Sequence, residues 1–87
     1  MAMKKLVVVE DSEGFESLLD QRITLFCLNY IYTGKLVGVN TTYLLLEEAY
    51  IVYETGELNK GPWKDAQPLP YPWRVQMSCI ESWGILK

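Results

Sequence analysis

Gly34 and Gly38 stand four residues apart in the otherwise β-forming stretch 31–40, and that spacing constrains the fold more than any other feature of the chain. Residues at even spacing in a strand share a face, so both missing side chains fall on one side, with Leu36 between them. A strand without Cβ atoms at two such points can bend sharply or let another backbone come close. The expectation is a curved strand that closes around a small core.

The flanking segments extend this β character. Ile23, Leu25 and Cys27 alternate with Thr24, Phe26 and Leu28, so the strand beginning at Arg22 is apolar on both faces and should be buried on both. Asn29 and Tyr30 supply a tight connection, because Asn tolerates the positive φ that a hairpin needs. A third strand runs from about Tyr43 to Glu54, with Leu44 and Leu46 on one face. Glu47 and Glu48 interrupt its apolar pattern and mark either a bulge or a solvated strand edge. Residues 55–72 hold Gly56, Gly61 and all four prolines, which excludes an internal strand and predicts a long loop. Its Trp63, Leu69 and Tyr71 are apolar enough to pack back onto the sheet or to stack on a ligand. Two short strands, 74–77 and 80–86, end the chain. At the other end, residues 5–9 read as a short strand or arm. Asp11 or Ser12 is placed to cap a short helix over residues 12–20, which Gly14 weakens. The fold class is therefore mainly β: one short helix, then five strands, in a single domain spanning 1–87.

Composition removes several functions. The chain has no histidine, which takes away the usual general base and the commonest zinc ligand. Cys27 and Cys79 have no second cysteine nearby in sequence, so neither a metal site nor a disulfide framework is indicated, and buried free thiols are expected. Glu47 and Glu48 are adjacent and on a strand would point to opposite faces, which does not suit acid–base catalysis. No enzyme activity and no cofactor is expected. Eight Lys and Arg against eleven Asp and Glu give a net charge of −3, the wrong sign for indiscriminate binding to phosphate backbones. The apolar stretch near the start is too short for a signal peptide or a membrane span. A cytoplasmic setting without membrane contact is the default expectation.

Three segments together resemble the Sm-like family, which includes the Sm, LSm and Hfq proteins. Arg22-Ile23-Thr24-Leu25 resembles the family's first strand. Gly34-Lys35-Leu36-Val37-Gly38-Val39-Asn40 is similar to its pattern of glycine, leucine, glycine or serine, an apolar residue and aspartate or asparagine. Leu44-Leu45-Leu46-Glu47-Glu48-Ala49 resembles its apolar third strand ending in an acidic pair and alanine. The resemblance implies a short N-terminal helix and a strongly bent five-stranded barrel, whose fourth strand joins the fifth strand of a neighbour in a closed homo-oligomeric ring of about five to seven subunits. Val75, Met77, Ile80 and Trp83 are the candidates for that junction, with ordinary core packing as the other reading of the same residues.

The resemblance also implies single-stranded RNA as a partner, held by the loop after the second strand and the loop between the last two strands. Asn40 matches the residue that orients the first loop. The sequence then departs from the family, because Thr41-Thr42-Tyr43 leads directly into Leu44 and leaves the loop one residue short. Tyr43 takes the place of either the stacking ring or the base-reading asparagine. Gln76 stands where the family has a base-stacking arginine. The RNA-binding candidates are thus Asn40, Thr42, Tyr43 and Gln76, with Lys35 or Arg74 supplying charge. The alternative is an oligomeric scaffold that has lost the RNA site and contacts other proteins through Trp63, Tyr71 and Trp73, since aromatic residues are enriched in interface centres.

Overall fold

The computed structural model describes residues 14–58 and 63–86. The possible arm at 5–9 and the caps Asp11 and Ser12 lie outside the described residues, as do Gly61 and Pro62. Among the described residues the strands are β1 (Arg22–Cys27), β2 (Ile31–Val39), β3 (Tyr43–Glu54), β4 (Asp65–Pro68), β5 (Trp73–Gln76) and β6 (Ile80–Gly84). All pairings are antiparallel, in the order β4-β3-β2-β1-β6, and β5 also pairs with β3. Ile23, Leu25, Leu36, Leu44 and Leu46 are fully buried and form the centre of the core, joined by Ala49 and Val75. Each large aliphatic side chain buried this way stabilises the fold by about 1.5–3 kcal/mol.

At both glycines β3 lies too near β2 for a side chain to fit freely. A Cβ on Gly34 would lie 3.0 Å from the Leu46 Cβ and 3.2 Å from Ala49, and one on Gly38 would lie 3.1 Å from the Leu45 Cβ. The β2–β3 register slips twice, between Thr33 and Lys35 and between Leu36 and Gly38, so each slip includes or borders a glycine. Extra residues in a ladder increase local bend and twist. Glu48 has φ of 50° within this region, and Glu47 and Glu48 are both exposed between buried Leu46 and buried Ala49. Glu47 stays in register with Lys35, and the bulge lies at Glu48 and Ala49, opposite Gly34. Its backbone is held by Arg22, whose Nη2 donates to the Glu48 carbonyl at 3.0 Å while the guanidinium lies 5.4 Å from the Tyr50 ring centre.

Three expectations need correction. The N-terminal helix is only a 3-10 turn, Phe15–Leu18. It stops because Asp20 enters the left-handed region at φ 69° and its N–H donates to the Leu36 carbonyl at 2.7 Å, while the Leu36 N–H donates to the Gln21 carbonyl at 2.9 Å. The backbone there is committed to β2 instead of to a longer helix. Among the described residues the sheet has six strands, not five, because β4 forms inside the stretch expected to be a loop. Pro68 is tolerated because β4 lies at the end of the sheet order, where a missing N–H costs no second ladder. Finally, among the described residues the sheet is not closed into a barrel: its end strands β4 and β6 share no ladder.

Strand β3 is long enough to carry two partners in succession. Its first half pairs with β5, from Tyr43 opposite Gln76 to Leu46 opposite Trp73, and its second half pairs with β4, from Tyr50 opposite Pro68 onward. The break between β4 and β5 faces the acidic bulge, and the Leu69 N–H donates to the Ala49 carbonyl there at 2.8 Å. Trp63 is buried and Leu69 packs on the core, whereas Tyr71 is 75% exposed. The loop thus contributes to the core at two of its three apolar positions.

Gly34→Val should lower stability by about 1–3 kcal/mol through overpacking against Leu46 and Ala49. Gly14→Ala, with nothing within 4 Å of the added carbon, should change it by less than about 0.5 kcal/mol. Urea denaturation of both variants checks the contrast.

Candidate functional site

The turn between β2 and β3 is organised by one side chain. Asn40 Oδ1 accepts hydrogen bonds from the backbone N–H groups of Thr42, at 2.7 Å, and Tyr43, at 2.8 Å. The Asn40 N–H donates to the Tyr43 carbonyl at 3.1 Å, closing the turn from the other side. A short amide side chain folding back on the backbone two and three residues ahead is what makes Asn favourable in such turns. Aspartate could accept the same two bonds, but it would place a further negative charge in the turn.

The second half of the site comes from far along the chain. The β3–β5 ladder sets Tyr43 directly opposite Gln76, and the Met77 N–H donates to the Thr42 carbonyl at 2.8 Å. After Gln76 the chain makes a 3-10 turn, Met77–Cys79, before entering β6. Thr41, Thr42, Gln76, Met77 and Ser78 line an open depression at this corner. All four residues expected to meet RNA, Asn40, Thr42, Tyr43 and Gln76, are therefore brought together at one end of the sheet. Asn40, Thr42 and Gln76 are exposed and Tyr43 is half-buried.

Arg74 is the cation of this corner. Its guanidinium carbon lies 5.6 Å from the centre of the Tyr43 ring, within the range where a cation is attracted to an aromatic face. Hydrogen bonds to the Tyr43 hydroxyl from Arg74, then from Asn40, followed by the charge of Arg74, hold the phenol pKa below its ordinary value of 10.0. Lys35, the other candidate for charge, is opposite Arg22 and Glu47 in the middle of β2. It is four residues from the end of that strand, roughly 13 Å along it. Of the two cations, only Arg74 belongs to the site.

The junction candidates divide. Val75 is only 4% exposed and its side chain belongs to the core, so at a strand edge it has only backbone to offer. Met77 and Ile80 are half-buried against the core. Trp83 is 54% exposed, with its ring 4.6 Å from that of Phe15. Beyond it Ile85 and Leu86 are also exposed. Sequence reasoning missed two contributors to the corner, Thr41 and Ser78, and it assigned Met77 to the junction alone. Their placement depends on the β3–β5 register, which no local pattern in the sequence encodes.

No protein-family profile matches the chain, and no curated protein matches it. Among the described residues, no helix is long and apolar enough to cross a membrane.

Replacing Arg74 with Ala should raise the Tyr43 pKa toward 10, because the leading hydrogen bond and the positive charge that favour the phenolate are both removed. Titration of the Tyr43 ring resonances in the two proteins measures the shift. An unchanged midpoint would mean that Arg74 does not act on this hydroxyl.

Proposed function

We propose that the chain is an Sm-like, ring-forming protein that binds single-stranded RNA at the corner formed by Asn40, Thr42, Tyr43 and Gln76. The observation that carries this reading is the convergence itself. A turn fixed by Asn40 and a turn following Gln76 are joined by the Met77–Thr42 hydrogen bond, with an aromatic ring and a guanidinium in contact beside them. Exposed amide and hydroxyl groups beside a half-buried aromatic ring and one cation suit bases presented edge-on or stacked, which is how unpaired RNA is read. A ring would place identical corners at regular intervals, so one strand could contact several subunits and gain avidity that a single corner lacks.

Assembly is favoured by the strand edges. Strands β4, β5 and β6 each have a ladder on one side only among the described residues. Open edges of this kind pair with another chain unless something covers them. Pairing β5 of one subunit with β6 of the next would bury backbone donors and acceptors and repeat around a closed symmetry. A second reading, a scaffold that contacts other proteins, draws on the exposure of Tyr71 and Trp73 beside the same edge. It keeps the ring and dispenses with the RNA.

Fluorescence anisotropy with short oligo(A) and oligo(U) at two salt concentrations distinguishes the two. The RNA reading predicts micromolar or tighter binding that Tyr43→Ala weakens by about 1–3 kcal/mol for each base stacked, roughly 5- to 150-fold. Gln76→Ala should weaken it as well. With one cation per corner, the salt dependence should be shallow for each subunit. Absence of binding at tens of micromolar, or binding indifferent to both substitutions, favours the scaffold.

A further inference from the structure

Cys27 and Cys79 are distant in sequence but adjacent in the fold. Strands β1 and β6 pair with Cys27 opposite Ile80, the residue after Cys79, and the Leu28 N–H donates to the Cys79 carbonyl at 3.1 Å. The register slips between Phe26 and Cys27, so the end of β1 runs beside the turn that carries Cys79. Both residues are half-buried free cysteines, and both line one cavity of about 240 Å³ together with Tyr30, Tyr32, Trp73 and Val75. Cys79 is thus next in sequence to the ladder partner of Cys27 and shares a cavity with it, the kind of proximity that a disulfide, with its Cα separation of roughly 4.4–6.8 Å, requires. The Cys79 thiol also donates to Gln76 Oε1 at 3.9 Å, which ties it to the corner described above.

We propose that Cys27 and Cys79 form a reversible intrachain disulfide by exchange with a small disulfide such as oxidised glutathione, and that closing this bond takes the Cys79 thiol away from Gln76. The chemistry balances in two exchanges. The Cys79 thiolate attacks one sulfur of the oxidant, forming a mixed disulfide and expelling one glutathione thiolate. Cys27 then loses its proton to solvent and attacks the Cys79 sulfur, expelling the second glutathione thiolate. The two protein thiols have lost two electrons and two protons, and the oxidant has become two reduced thiols. Burial, followed by the neighbouring Cys79, raises the Cys27 pKa to about 11. The thiolate is the attacking species, so the second exchange is slow at neutral pH and accelerates by about tenfold per pH unit below that value. The bond does not depend on the RNA reading, because both halves of the proposal have readouts that need no RNA.

The experiment incubates the full chain in glutathione buffers of increasing oxidised fraction, quenches with acid and follows intact mass and peptide linkage. The expected product lacks two hydrogens, carries a single Cys27–Cys79 linkage, reverts with excess reduced glutathione, and forms faster with rising pH. Cys27→Ser should stop at the mixed disulfide on Cys79, and the Gln76 side-chain amide resonances should shift when the wild-type bond closes. Two glutathiones per chain, chain-to-chain linkage or thiols left unreacted in fully oxidised buffer would overturn the bond. A closed bond with unmoved Gln76 resonances would overturn the release. The wild-type linkage is decisive even if the serine variant does not fold.

Discussion

The close approach of β3 to β2 at Gly34 and Gly38 is the contact on which the remaining architecture depends. With 3.0–3.2 Å between the virtual side chain of Gly34 and the atoms of Leu46 and Ala49, there is no room for even an alanine without displacement. That proximity lets β2 and β3 bend together, and the bend allows the fully buried Leu36, Leu44 and Leu46 to share one small core with Ile23 and Leu25. It also divides β3. The strand must bulge at Glu48 to follow the curve, and its partner is broken into β4 and β5 at the facing position. The acidic pair tolerates this because both side chains reach solvent, while Arg22 binds the carbonyl that the bulge exposes.

The candidate site is a consequence of the same geometry. Dividing β3 leaves its first half free to pair with β5, and that pairing brings Gln76 opposite Tyr43. Asn40 fixes the approach of Tyr43 from one side and Arg74 from the other. A chain of negative net charge thus presents a local arrangement of one cation, one aromatic ring and several amide and hydroxyl groups. Under the proposed function, recognition relies on stacking and hydrogen bonding more than on phosphate attraction, which suits the overall charge.

Much of this was legible in the sequence because it depends on local chemistry. The paired glycines and the interruption at Glu47-Glu48 each declare their role through backbone freedom or a break in alternation; Asn29 and Tyr30 do lie in the β1–β2 connection, but Asn29 does not take the positive φ expected of it. Asn40 was legible for the same reason, since its bonds reach only two and three residues ahead. The rest was set by tertiary competition. A helix over residues 12–20 was reasonable on capping grounds, but the Asp20 and Leu36 backbone groups bond across to the neighbouring segment. Strand β4 was hidden by proline, which argues against an internal strand yet is compatible with an end strand. The neighbourhood of Cys27 and Cys79 depends on the β1–β6 register, and no spacing rule applied to one chain could supply it.

Under the proposed function, neighbouring copies cover β4, β5 and β6, each of which has a ladder on one side only among the described residues. Native mass measurement of the purified full chain at micromolar concentration tests it most directly. A closed ring requires a single species of about five to seven subunits of 10.1 kDa each, with no ladder of intermediate sizes. A single species at the mass of one chain would contradict it.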